Sequence, residues 1–97
     1  MKVFLSKKAE EKLLILLDYL TENWGLKSKI KFNEKLVERI FQISAHPYSC
    51  PKSDNKIGLH KCVVSKQTTF YYRIDKPKKE IEIITFFDSS QNPNKLK

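Results

Sequence analysis

The sequence predicts an α+β domain of order β-α-α-β-β-β, an antiparallel sheet with a helical hairpin packed on one face. Two apolar stripes at helical spacing occupy the first half of the chain, and runs rich in Thr, Phe, Tyr and Ile occupy the second. Between the last two of those runs lies Asp75-Lys76-Pro77-Lys78-Lys79, where Pro77 removes a ladder donor and favours a turn. Helices gathered early and strands gathered late argue for helices on one side of an antiparallel meander.

Val3, Phe4 and Leu5 form a short opening strand, and Ser6 stands where a helix N-cap belongs, with Glu10 and Glu11 near the positive end of the helix dipole. Ala9, Leu13, Leu16, Leu17, Leu20 and Trp24 recur at three- and four-residue steps, so a first helix is expected from about Lys7 to Asn23, with all six in the core and Gly25 as its stop. A second stripe, Phe32, Leu36, Ile40 and Ile43, widened by Val37 and Phe41, runs from Ser28 until His46-Pro47 ends helical geometry, and His46 helps to close that end. So short a connection makes the two helices a hairpin. Pro47 to Gly58 holds two prolines, a glycine, Asp54 and Asn55, and reads as an exposed loop.

Leu59 to Ser65 is the next strand, turned at Lys66 and Gln67. In the strand after it, alternation puts Phe70, Tyr72 and Ile74 on one face and Thr69, Tyr71 and Arg73 on the other. In the last strand Ile81, Ile83 and Phe87 share a face while Ile84 and Phe86 make the opposite face apolar as well. That strand should be central, or covered by a partner.

At 97 residues the chain is one domain, 1–97, with a single core. Apolar residues make up 40% and only two residues are Gly, which suits a compact globule better than a disordered tail. No apolar run approaches the roughly 18 residues of a membrane span, and Met1 to Ser6 is too short for the apolar region of a signal peptide, so a cytoplasmic protein is expected. Cys50 and Cys62 make neither a CxxC motif nor a dense framework and read as reduced thiols; neither a metal nor a cofactor is expected. The formal charge is +8, of which residues 1–51 carry +3 (nine Lys/Arg, six acids) and residues 52–97 carry +5 (ten against five). A basic surface calls for an anionic partner, nucleic acid or acidic protein, or serves solubility alone.

Ala9, Leu13, Ile15 and Tyr19, then Phe32, Leu36 and Ile40, Pro47, Gly58-Leu59-His60-Lys61, Phe70-Tyr71-Tyr72-Arg73-Ile74 and Ile81-Glu82-Ile83 follow in an order that covers nearly the whole chain. In that order they resemble the RelE/ParE superfamily of toxins from bacterial type II toxin–antitoxin modules, which share this succession of elements. The resemblance implies a growth-inhibiting toxin, of the kind associated with plasmid stabilization, neutralised by a cognate small antitoxin whose tail wraps it. Antitoxin contacts are expected at Leu13, Leu17 and Phe86, and contact with DNA only through the toxin–antitoxin complex. It further implies one of two mechanisms: RelE-type members cleave mRNA on the ribosome, whereas ParE-type members poison DNA gyrase without being hydrolases. A third outcome is an inactive member that retains antitoxin binding.

Fold cannot choose among these, so the residues must. Cleavage through the 2′-hydroxyl needs a base, cations for the crowded phosphate and an acid for the leaving 5′-oxygen, each acid–base group giving roughly 10²- to 10⁴-fold. Lys61 and Arg73 occupy sheet positions similar to the RelE-type cations, and His60 is the candidate base, since an imidazole titrates near neutral pH. At the ending Phe86-Phe87-Asp88-Ser89-Ser90-Gln91-Asn92-Pro93, however, Ser90 stands where the superfamily commonly has Arg, and no Tyr or His follows Tyr72. The catalytic set is incomplete, which favours ParE-like binding to a gyrase-type target over cleavage of ribosome-bound mRNA. Lys56, Lys61, Lys66 and Arg73 are the candidate contacts to a target or nucleic acid.

Overall fold

The computed structural model describes residues 1–89. Their order is β1 (Lys2–Leu5), α1 (Lys7–Trp24), α2 (Leu26–Ala45), β2 (His60–Val63), β3 (Thr68–Asp75) and β4 (Glu80–Asp88). The sheet runs β1-β4-β3-β2. Strands β2, β3 and β4 form the antiparallel meander, and β1 joins β4 in parallel, with Val3 opposite Ile81 and Leu5 opposite Ile83. The sheet is therefore mixed, because the chain leaves β1 directly into the helices and returns to its flank only at the end. β4 is interior, as its two apolar faces require.

Ser6 starts α1 by accepting the Ala9 N–H at 3.0 Å. Its hydroxyl also donates to the Ile84 carbonyl at 2.8 Å, tying the helix start to β4. A single residue, Gly25, then separates the helices; its φ of 92° lies in the region that favours glycine, and its N–H closes α1 on the Thr21 carbonyl at 3.0 Å. The tight hinge explains why α2 begins at Leu26, two residues before Ser28. His46 is the C-cap of α2, donating its N–H to the Gln42 carbonyl at 2.7 Å.

Ala9, Leu16, Phe32, Leu36 and Ile43 from the helices meet Phe70, Tyr72, Ile81, Ile83 and Phe86 from the sheet in one core. Two expectations fail here. Trp24 is 66% exposed, because as the last residue of α1 it only borders an open cleft with Ser28, Gln67 and Thr68. Phe86, not Phe87, faces the core, because pairing shifts from Tyr71 opposite Thr85 to Tyr72 opposite Ile83, leaving Ile84 as an extra residue on β4. A one-residue bulge reverses alternation beyond it, and the Ile84 carbonyl that it displaces is the one Ser6 satisfies.

Candidate functional site

Two strands and one loop build the basic surface. Alternation sends Lys61 of β2, Tyr71 and Arg73 of β3, and Glu82, Thr85 and Phe87 of β4 to the face away from the helices. Register places Lys61 beside Tyr71 and Arg73 beside Glu82. The Arg73 guanidinium donates to Glu82 Oε1 at 2.6 Å, which fixes its orientation on an otherwise open face.

Tyr71 is only 7% exposed although it lies on this outer face. Lys56, from the loop between α2 and β2, covers it with Nζ 5.2 Å from the ring centroid. The loop reaches there because it pairs with β2: Lys52 bridges to His60, and the Lys61 N–H donates to the Pro51 carbonyl at 2.9 Å. Lys56, Lys61 and Arg73 thus share one face with an aromatic ring among them, an arrangement able to meet phosphates or an acidic protein. Lys66 lies in the turn from β2 to β3, exposed.

His60 points the other way. Its ring is 7% exposed on the helical side, with Nδ1 bonded to the Cys50 carbonyl at 2.9 Å and the ring stacked on Tyr72 at 5.1 Å between centroids. Tyr48 meets it edge-on at 5.7 Å, and the Tyr72 hydroxyl donates to the Pro47 carbonyl at 2.7 Å. His60, Tyr72 and the carbonyls of residues 47 and 50 therefore anchor the loop from inside. The sheet separates the imidazole from Arg73.

Cys62 lies next to this anchor, and burial pushes its thiol up to about 12, with its interaction with Cys50 adding to the effect and the Arg39 charge opposing it. Burial likewise raises the Tyr72 phenol. Among the described residues no three His, Cys, Asp or Glu side chains come together as a metal site.

On the helical side Leu13 and Leu17 are half-buried against the core, and Phe86 is 3% exposed within it. Exposed apolar side chains on the helices include Leu14 and Ile15 of α1 and, along α2, Leu26, Ile30, Val37 and Phe41, one stripe at four-, seven- and four-residue steps. Phe41, at 70% exposure, borders a cleft of about 350 Å³ shared with Met1, Val3, Val37 and Ile40. The cleft runs along β1, an edge strand.

Residues 3–93 match the family described as the ParE toxin of the type II toxin–antitoxin system parDE. The chain belongs to the ParE toxin family. No curated protein sequence matches it. Among solved structures it resembles the chromosomal ParDE toxin–antitoxin system of P. aeruginosa, with a TM-score of 0.72 at 19% identity over 91% of this chain and 95% of that one. The YoeB/ParE toxin of Agrobacterium tumefaciens follows at 0.65 and 14%, covering 91% and 98%, and a chain of the E. coli RelBE toxin–antitoxin complex at 0.61 and 12%, covering 90% and 94%. At such identities these likenesses establish the shared fold alone, and they span both ParE and RelE types. As a toxin of a type II module, this ParE-family chain has a cognate antitoxin as partner. None of its helices among the described residues is long and apolar enough to cross a membrane.

Two features of the site escaped sequence reasoning. The Arg73–Glu82 pair could have been counted back from the turn, since Asp75 opposite Glu80 puts residue 73 opposite residue 82. Lys56 over Tyr71 had no local signal. Ser90 lies outside the described residues.

Proposed function

We propose that this ParE-family toxin inhibits growth by binding a gyrase-type target through the outer face of its sheet, without hydrolysing RNA. The observation that carries this is the position of His60. The imidazole that would serve as base is spent on the Cys50 carbonyl and the Tyr72 ring on the inner side, while Lys61 and Arg73 lie on the outer one. A base must come within hydrogen-bond reach of the proton that it takes, and a group across the sheet does not. Ser90 in place of a late Arg points the same way. Lys56, Lys61 and Arg73 then act as fixed positive charge for an acidic or phosphate-bearing surface.

One observation favours the second reading, a ribosome-dependent mRNA endonuclease. Lys61, Arg73 and Tyr71 lie together, and cations beside an aromatic ring also suit RNA. The two are separated by adding the purified protein to translating ribosomes with primer extension across the mRNA, and in parallel to a gyrase supercoiling reaction. Inhibited supercoiling with uncut mRNA is the expected result; cuts at codon positions that vanish in Arg73→Ala would overturn it. Unhindered supercoiling together with uncut mRNA would leave the inactive, antitoxin-binding reading. For the antitoxin, the α2 stripe and the cleft beside β1 offer a site for an amphipathic segment, apolar on the side that meets Ile30, Val37 and Phe41.

A further inference from the structure

Cys50 and Cys62 are the two cysteines of the chain, one in the loop after α2 and one in β2. Both are buried, both are free, and both line one cleft. Register brings them together. The bridge of Lys52 to His60, with Ser53 N–H donating to the Leu59 carbonyl at 2.8 Å and Lys61 N–H to the Pro51 carbonyl at 2.9 Å, carries the loop antiparallel to β2. The same register carried two residues further would place Cys50 opposite Cys62. The hydrogen bonds fall at 53/59 and 51/61, so 50/62 is a non-hydrogen-bonded pair, the kind with the shorter Cα separation of about 4.5 Å. Cross-linking accepts Cα separations from roughly 4.4 to 6.8 Å, so the pair is bridged without moving the backbone far.

The pair is also approachable. Cys50 and Cys62 line an open cleft of about 410 Å³ together with Arg39, Gln42, Pro51 and Lys61. Arg39 is held there by its Nε–H donating to the Val63 carbonyl at 3.1 Å, and Gln42 Nε2 lies 3.9 Å from Cys50 Sγ. Arg39 and Lys61 give the mouth positive charge, which favours an anionic reagent.

We propose that Cys50 and Cys62 form a redox-active dithiol that reacts with small anionic disulfides of the glutathione type. The Cys50 thiolate, its proton lost to solvent, attacks one sulfur of the disulfide, forming a mixed disulfide and expelling one glutathione thiolate. Cys62, giving its proton to solvent, then attacks Cys50 Sγ. The Cys50–Cys62 bond forms as the mixed disulfide breaks, and a second glutathione thiolate leaves. The protein loses two electrons and the glutathione disulfide gains them; both leaving thiolates are protonated by solvent. The bridge closes residues 50–62 into a covalent loop, so that Lys52 and Lys56 are held against β2 and the ring of Tyr71. Oxidation fixes the loop that carries part of the basic outer face.

The test treats the folded full chain with glutathione disulfide in native buffer, alkylates with iodoacetamide under denaturation, and reads intact mass. The expected product is a monomer lighter by two hydrogens, refractory to alkylation, with peptides bearing Cys50 and Cys62 joined, and fully restored by dithiothreitol. In Cys62→Ser the glutathione adduct at Cys50 should persist, because the thiol that displaces it is gone. A wild-type chain that stays alkylatable at both cysteines, retains glutathione, or dimerises through a disulfide overturns the proposal. So does a bridge that forms only in denaturant. These wild-type outcomes decide the matter even where the variant fails to fold, and none depends on the cellular target.

Discussion

His60 shows how far a residue's chemistry depends on which side of a sheet it faces. From sequence it is an imidazole beside a lysine; in the fold it is a buried bracket between the Cys50 carbonyl and the Tyr72 ring. Replacing it with alanine leaves that carbonyl unpaired and removes the stack, a loss of about 2–3 kcal/mol. His60→Ala should therefore melt roughly 10 °C or more below wild type in a thermal scan, with activity following only the folded fraction. Cys62 supplies a pH signature. Burial raises its folded-state thiol from 9.0 to about 12, so the folded state holds the proton more tightly than the unfolded one. The stability this confers is complete below pH 9 and is lost as pH climbs toward 12. Urea midpoints should fall over that range, and less steeply in Cys62→Ala.

At the scale of the element, β4 marks the boundary of what the sequence made legible. Its two apolar faces announced an interior strand, and Thr, Tyr, Phe and Ile content located β3 and β4 closely. The bulge at Ile84 was invisible, because bulges are set by the partner strand and by what receives the displaced carbonyl, here Ser6. Hence Phe86 and Phe87 exchanged faces. Ser6 serves both the cap and the bulge, so Ser6→Ala should cost about 2 kcal/mol, double the usual cap loss, measured by urea denaturation. The helices were legible by their stripes, but a stripe does not say which of its residues a neighbour covers: Trp24 and Phe41 remain outside. Exposed Phe41→Ser should shift stability by no more than about 0.5 kcal/mol. If the α2 stripe holds the antitoxin, the same variant weakens that complex by about 2 kcal/mol, near 30-fold in Kd by titration calorimetry. An unchanged affinity would move the antitoxin elsewhere.

Across the whole molecule, the fold divides labour between two faces. The helical side holds the core, the His60–Tyr72 anchor and an exposed apolar stripe; the outer side holds Lys56, Lys61 and Arg73. Lys61 and Arg73 were legible because strand alternation is regular in β2 and β3, whereas the loop's return over Tyr71 is a tertiary event without a local pattern. The central claim is that this outer face binds a gyrase-type target and does no chemistry. It is tested most directly by titrating wild type, Lys61→Ala and Arg73→Ala into a DNA gyrase supercoiling reaction. The exposed Arg73–Glu82 pair contributes at most about 1 kcal/mol, so Arg73→Ala should fold normally and the comparison is fair. Inhibition by wild type that weakens at least roughly tenfold in both variants, about 1.4 kcal/mol of binding, is the result predicted. Supercoiling that proceeds unhindered with wild-type protein in excess would contradict it.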